Sequence, residues 1–175
     1  LEEVNAALDT LNLYADKTIY NFTQMTKNIG TFTAAGVDLQ TSVNAIQGIA
    51  YFAAVSGSTS EQASRAMYQI SQGLASGIFD LRDWNSVVNA GMGGKIFQDA
   101  LSETAKRMGT VIKLTKTEAA EFGKLEASVE EYISKKSFRE SLSKKWVTSE
   151  IMTSTLEQFT KEGVISTVTE LTKGT

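Results

Sequence analysis

The chain of 175 residues contains no proline, whereas an average chain of this length carries roughly eight or nine. Proline interrupts helices because it lacks a backbone N–H and its ring clashes with the preceding turn. Apolar residues also recur at alternating spacings of four and three, most clearly at Leu39, Val43, Ile46, Ala50 and Ala53, which is the helical period. The sequence therefore predicts an all-α fold, a compact multi-helix bundle of short antiparallel helices.

Glycines divide this helical pattern into short pieces. We expect successive helices to end at Gly57, Gly77, Gly91 and Gly109, because glycine readily adopts the left-handed conformation that follows many helices. The helices on either side of Gly57 are joined by a short polar turn. Such a connection is typical of an antiparallel helical hairpin.

Polar residues mark where individual helices begin. Asp38, Asp80 and Thr148 each precede an apolar stripe, as helix-capping residues do. Ser58 is followed three residues later by Glu61, which is the spacing of a capping box. We therefore expect helices to begin directly after residues 38, 58, 80 and 148.

The composition changes near residue 110. We predict a helical core module over residues 1–109 and a second, more charged helical portion over 110–175, packed on it or following it within one continuous domain. A minor extended segment is allowed near 110–115 or 164–169, where β-branched residues are frequent. The first helical stripe predicted in the charged portion consists of Phe122, Leu125, Val129 and Tyr132.

A faint internal echo links the two portions. Its matched positions are Leu74, Asp80, Trp84 and Val88 in the first portion, and Leu142, Thr148, Met152 and Leu156 in the second. All four pairs have the same offset, so we predict a repeated turn-and-helix unit. In the first copy, the helical spacing places Leu81, Trp84 and Val88 on the inward face.

Histidine and cysteine are both absent from the chain. Their absence removes disulfides, thiolate nucleophiles, the commonest general base and the usual transition-metal ligands. The formal net charge of -3 gives no overall basic footprint for nucleic acid. We expect a protein that is not an enzyme, with no catalytic, cofactor-binding or metal-binding residues and no cofactor.

Residues 90–97, AGMGGKIF, contain a Gly-Gly-Lys sequence like that of a phosphate-binding loop. A P-loop needs a glycine five residues before the Gly-Lys pair and a serine or threonine after it. Those positions hold Asn89 and Ile96. We therefore interpret the segment as a helix stop followed by a turn into the next helix.

Three acidic pairs are the remaining candidates for chemistry: Asp80 with Asp83, Glu126 with Glu130, and Glu130 with Glu131. A two-carboxylate hydrolase needs acids that face each other across a cleft. The aspartates instead lie in the first turn of a predicted helix, where the backbone dipole favours negative charge. The glutamates lie among lysines on a predicted solvated face.

Residues 43–55, VNAIQGIAYFAAV, form the most apolar run of the chain. A membrane-spanning helix needs about 20 apolar residues, with a lower limit near 17. This run is shorter and includes Asn44 and Gln47. We predict a buried core helix.

The basic residues between 135 and 145 are Lys135, Lys136, Arg139, Lys144 and Lys145. Glu130, Glu131 and Glu140 interleave with them, so the local field is expected to be small. The nearby Phe138 and Trp146 fall on the predicted apolar stripe. We expect a solvated helix face, with no direct binding to nucleic acid.

Two long parts of the chain resemble a known protein family. The first, residues 15–101, includes ADKTIYNFTQMTKNIGTFTAAGVDL, AAVSGSTSEQASRAMYQISQGLASG and DWNSVVNAGMGGKIFQDAL; the second, residues 137–160, reads SFRESLSKKWVTSEIMTSTLEQFT. These blocks resemble, in order and with Trp84 and Trp146 in their expected settings, the amino-proximal region of tail tape-measure proteins of long-tailed bacteriophages and prophages. Members of that family are far longer than this chain, which starts at Leu1 without an initiator methionine. We therefore expect a piece of a longer polypeptide.

The resemblance implies a structural role in the phage tail. In that family a long, mostly helical chain lies in the lumen of the growing tail, sets its length as tube rings stack around it, and leaves ahead of the DNA at infection. The implied partners are the tail tube, the tail assembly chaperone and baseplate or initiator proteins. The implied locations are the virion tail and, during assembly, the host cytoplasm. The resemblance leaves open an oligomer within the tail and membrane contact by the full-length protein.

Two other functions remain open from sequence alone. One is a general helical interaction domain or secreted effector domain with no connection to tails. The other is a carboxylate-dependent peptidoglycan hydrolase, since some tape-measure proteins carry such domains. For a tail protein, the short Gly-punctuated helices predict a folded module and not an extended ruler segment.

Overall fold

The computed structural model describes residues 3–4 and 22–158. Between residues 22 and 158 the chain forms nine helices and one two-stranded antiparallel sheet. The elements are α1 (Phe22–Ala34), α2 (Leu39–Val55), α3 (Ser60–Ser76), α4 (Leu81–Asn89), α5 (Lys95–Arg107), β1 (Val111–Lys113), α6 (Lys116–Phe122), β2 (Glu126–Ser128), α7 (Val129–Lys135), α8 (Phe138–Leu142) and α9 (Ser149–Glu157). The predicted all-α bundle is confirmed. The alternative extended segment at 164–169 lies outside the described residues.

The first half of the bundle contains the helical hairpin expected around Gly57. Asp38 caps α2 by accepting a hydrogen bond from the backbone N–H of Thr41 at 2.8 Å, and Gly57 has a φ of 71° after the helix. Glycine adopts this left-handed conformation at little cost. Helices α2 and α3 pack against each other, and α1 packs against both.

The capping box of α3 lies one residue later than predicted. Thr59 accepts from the backbone N–H of Gln62 at 3.1 Å, and the Gln62 side chain accepts from the backbone N–H of Thr59 at 2.9 Å. The predicted cap, Ser58, is buried and donates its hydroxyl to the carbonyl of Gly91 at 3.1 Å. Ser58 is therefore used to hold the α4–α5 turn, and it is not the cap of α3.

The echo in the sequence corresponds to two helices of equal length. Helices α4 and α9 each have nine residues, and their caps, Asp80 and Thr148, are separated by the offset of the echo. The backbone segments before the two helices pair with each other: Phe79 N–H donates to Val147 O at 2.8 Å, and Ser149 N–H donates to Gly77 O at 2.9 Å. The two turn-and-helix units are thus joined by a short antiparallel bridge.

The predicted inward face of α4 is only partly correct. Trp84 is buried, but Leu81 and Val88 are each 40 % exposed. Val87 is fully buried in the place expected for Val88. The helix lies on the edge of the bundle against α3, so its buried face is narrow and one turn of rotation error exchanges neighbouring residues.

The core crosses the boundary drawn at residue 109. Phe52 stacks on Phe97 with 4.6 Å between ring centroids, Phe97 lies 5.8 Å from Trp84, and Trp84 lies 4.6 Å from Phe138. Helix α9 packs against α2, α3 and α5. The charged portion therefore contributes a buried ring and a buried helix to the same core as residues before 109.

The apolar run at residues 43–55 forms most of α2, whose inner residues are buried as predicted for a core helix. Gly48 lies where α2 approaches α9 most closely, since a Cβ added there would come 2.5 Å from the carbonyl oxygen of Leu156. Within the described part of the chain, no helix is both long and apolar enough to cross a membrane.

The extended segment predicted near 110–115 is confirmed as β1, which pairs with β2. The helical stripe predicted through Leu125 is wrong. Gly123 ends α6 with a φ of 72°, and residues 126–128 then pair with β1 through their backbone. Leu125 is consequently 81 % exposed, while Phe122 and Tyr132 remain buried.

Replacement of Gly48 by alanine should destabilise the protein. The added methyl group collides with the backbone of α9, and overpacking of this kind costs typically about 1–3 kcal/mol,. The free energy of unfolding, measured by urea denaturation, should fall by at least about 1 kcal/mol. The control is Gly30→Ala in α1, where the methyl group has open space and should stabilise by about 0.4–1 kcal/mol. Equal effects of the two changes would contradict the close approach of α2 and α9.

Candidate functional surfaces

The glycine-rich segment 90–97 is the turn between α4 and α5. Gly91 has a φ of 87°, and Gly94 begins α5 without a side-chain cap. The Gln98 side chain donates to the carbonyl of Gly93 at 2.8 Å, and Met92 is fully buried. The interpretation as a helix stop and turn is confirmed, and the turn follows a helix and not a strand.

Asp80 and Asp83 form a reciprocal cap at the start of α4. Asp80 accepts from the backbone N–H of Asp83 at 3.0 Å, and Asp83 accepts from that of Asp80 at 3.1 Å. The hydrogen bond from the Asp83 backbone lowers the pKa of Asp80, whereas burial raises the pKa of Asp83. Divergent pKa values also occur in acid–base pairs, but here each carboxylate satisfies a backbone donor of the helix end.

The glutamates at 126, 130 and 131 do not converge. Glu130 Oε2 lies 3.7 Å from Lys106 Nζ, and Glu131 Oε1 lies 2.8 Å from Lys124 Nζ. Glu126 lies on β2 with an exposed side chain. Across the described residues, no three acidic side chains come together as a cluster that could hold a metal ion.

The basic residues at 135–145 are neutralised differently from the expectation. Glu130 and Glu131, which interleave with them in sequence, pair with Lys106 and Lys124 instead. The partners of the cluster come from α6: Glu121 contacts Lys136 and Glu118 contacts Lys144, each with 2.6 Å between nitrogen and oxygen. The expected cancellation by sequence neighbours is therefore wrong for those two glutamates, because tertiary pairing reassigns them.

Glu118 is the centre of a polar network that the sequence did not reveal. Its carboxylate accepts from Lys144 at 2.6 Å, from the Tyr132 hydroxyl at 2.7 Å and from the Thr115 backbone N–H at 3.0 Å. These donors, Lys144 first, lower the pKa of Glu118 from 4.5 to about 2. Burial, and then the hydrogen bond to Glu118, raise the pKa of Tyr132. The only sequence signal was the Thr-x-x-Glu capping box at 115–118.

An open polar groove of about 640 Å³ lies between α1, α3 and the end of α4. Its lining includes Lys27, Asn28, Arg65 and Tyr68. Tyr68 is half exposed, and Asn28 donates to the Ser64 hydroxyl at 3.1 Å. None of the residues that sequence patterns single out for chemistry lines this groove.

The described surfaces thus consist of capped helix ends, surface ion pairs and an open groove on a helical bundle, which is the anatomy of a structural module. The family model described as tape measure protein matches residues 1–129, about three quarters of the chain. The chain belongs to the tape measure protein family. We found no match among curated proteins or among solved structures.

Membership assigns the chain a structural role in the phage tail and a location in that tail. The family match covers the longer of the two resembling parts, residues 15–101, in full. It ends before residues 137–160, so the resemblance of that second part stays a prediction.

The Glu118 network should make part of the stability depend on pH. Because its folded-state pKa lies below 4.5, its stabilisation is fully present above that pH and is lost as pH falls toward about 2,. We expect Glu118→Gln to lower the free energy of unfolding by about 1–2 kcal/mol at pH 7. The difference from the unchanged protein should shrink between pH 4.5 and about 3 in urea titrations,.

The matched control for this change is Glu103→Gln. Glu103 is exposed on α5 and has no ion pair or side-chain hydrogen bond within the described residues. Its replacement should change stability by less than about 0.5 kcal/mol. A pH-independent difference for Glu118→Gln would show that the carboxylate charge is not what stabilises the network.

Proposed function

We propose that the protein containing this chain sets the length of a phage tail, as the tube polymerises around it, and leaves the tail during DNA ejection. The observation that carries this proposal is the tape measure family match over residues 1–129. A helix rises about 1.5 Å per residue, so an extended helical chain converts residue number directly into length. Assembly of this kind takes place in the host cytoplasm.

Within that protein, residues 22–158 act as a folded module and not as a ruler segment. A bundle of this size is about 30–40 Å across, which is a tight fit for a tail lumen. The glycine-terminated helices and their shared aromatic core support a folded state. We place the module at one end of the tail, where the initiator complex or the baseplate makes room.

The proposed direct partners are baseplate or initiator proteins, with the tail tube and the tail assembly chaperone as partners of the full-length protein. Residues 1–109 and 110–175 act as two portions of one unit, because α9 packs against helices of the first portion. With α6 in place, the module contacts protein and not nucleic acid. No enzymatic step is part of this function.

Deletion of residues 22–158 from the full-length protein, in an otherwise intact phage or prophage, tests the placement. An extended helical segment would shorten the tail by about 200 Å, at roughly 1.5 Å for every residue removed. A module at the tail end should leave the shaft length unchanged. Tail lengths are measured by negative-stain electron microscopy.

The matched control removes an equally long helical segment elsewhere in the full-length chain, and it should shorten the tail by the calculated amount. Cross-linking mass spectrometry of intact tails gives an independent readout through exposed lysines such as Lys95 and Lys113. Cross-links from these lysines to tube subunits along the whole shaft would contradict the placement at one end.

A zymogram tests the absence of catalysis. The purified chain should leave peptidoglycan in the gel uncleared, because the described acidic residues are used in caps and ion pairs. Clearing that disappears with Asp83→Asn or Glu118→Gln would establish a carboxylate-dependent hydrolase. Clearing that survives both changes would locate a hydrolase activity elsewhere in the chain.

A further inference from the structure

The basic surface at residues 135–145 has few acidic neighbours of its own. It consists of Lys135, Lys136, Arg139, Lys144 and Lys145. Glu130 and Glu131 are paired with lysines outside it, at 3.7 and 2.8 Å. Among the three sequence neighbours, Glu140 alone remains beside the cluster, where its charge helps to raise the pKa of Lys136.

Helix α6 covers this surface and neutralises part of it. Glu118 and Glu121 bind Lys144 and Lys136, and these two lysine side chains are only 17 % and 24 % exposed. Both ion pairs join residues that are distant in sequence, 26 and 15 positions apart. The two most enclosed cations of the surface are therefore held by a separate helix.

The attachment of α6 is mainly polar. Its single buried residue is Phe122, which stacks near Tyr132 at 5.8 Å between centroids and lies under Lys135 Nζ at 4.8 Å. The other inward contacts are the carboxylates of Glu118 and Glu121. Such contacts weaken when competing anions or salt screen the charges.

The base of α6 is fixed independently of the helix. Strands β1 and β2 pair directly, with Ile112 opposite Ala127 and both buried. The Leu114 N–H donates to Leu125 O at 3.1 Å and closes the neck of the excursion. Helix α6 is thus a short loop-out on a closed ribbon, and it can move without breaking the sheet.

The uncovered surface suits the phosphate backbone of duplex nucleic acid. Clustered lysine and arginine bind phosphates by releasing counterions. The nearby aromatic rings of Phe138 and Trp146 are buried, so none is offered for stacking on unpaired bases or for insertion into a lipid interface. The chemistry therefore favours duplex DNA over single strands and membranes.

We propose that α6 is an acidic cover over a basic surface, and that duplex DNA binds residues 135–145 by displacing Glu118 and Glu121 from Lys144 and Lys136. The covered state carries balanced charges at these two positions. The uncovered state presents five cations on one surface. This inference goes beyond the proposed function, because tail-length control does not require it.

The test compares the unchanged protein with Glu118→Gln/Glu121→Gln. Binding to a labelled mixed-sequence duplex of about 30 base pairs is measured by fluorescence anisotropy between about 50 and about 200 mM salt. Freeing two lysines should steepen the slope of log affinity against log salt by about 1.8, at about 0.9 per phosphate contact. Over that salt range the affinity of the variant should fall about 12-fold more than that of the unchanged protein.

Two control variants separate this effect from a change in total charge. Glu103→Gln/Glu150→Gln removes two exposed acids that have no partner among the described residues, and its salt slope should match the unchanged protein. Adding Lys136→Ala/Lys144→Ala to the cover variant should remove the extra slope. Far-UV circular dichroism establishes that all variants are folded.

Hydrogen exchange of the unchanged protein tests displacement directly. Duplex DNA at low salt should increase exchange in α6, where the Gly123 N–H bonds to Ala119 O, and leave β1 and β2 protected. Equal slopes for the cover and control variants, or DNA binding without increased exchange in α6, would overturn the proposal. Binding to vesicles of anionic phospholipid in preference to DNA would do so as well, in favour of a membrane surface.

Discussion

The described bundle depends on the close approach of α9 to α2. Gly48 has no side chain, and the backbone of α9 at Leu156 occupies the space that a Cβ would need. Because α9 also packs against α3 and α5, it fills the space between helices that are neighbours in the first portion of the chain. The buried pair of hydroxyls Thr155 and Thr104, 2.7 Å apart, fixes the position of α9 on α5. Without this helix, the apolar side of α2 would face water and the core would lose its continuity.

Local physical rules explain what could be predicted from the sequence. Helical spacing, capping residues and left-handed glycines act over a few residues, so α2, the cap at Asp80 and the turn after Gly57 are readable without a structure. The errors arise where distant residues decide. Ser58 is taken from its expected cap by the carbonyl of Gly91. Leu125 is taken out of its expected helix because residues 126–128 pair with β1.

The polar surfaces follow the same division. The aspartate cap on α4 spans three residues and is visible in the sequence. The contact between Glu118 and Lys144 joins residues 26 positions apart, and sequence neighbours suggested other partners for the basic residues. No periodicity or motif encodes that pairing, since it depends on how the β1–β2 ribbon aims α6. The tape measure family match identifies the class of machine, while the side-chain network shows how this module distributes its charges.

The bridge between residues 77–79 and 147–149 has a mechanical consequence. Its two backbone hydrogen bonds, and that from the Ser149 hydroxyl to Leu74 O at 2.9 Å, tie the start of α9 to the end of α3. A tension applied beyond residue 158 therefore loads α9 first and reaches the bridge only after that helix has left its groove. The module then unravels in a defined order, from its last helix inward, and the bridge acts as the stop that separates loss of α9 from loss of the hairpin.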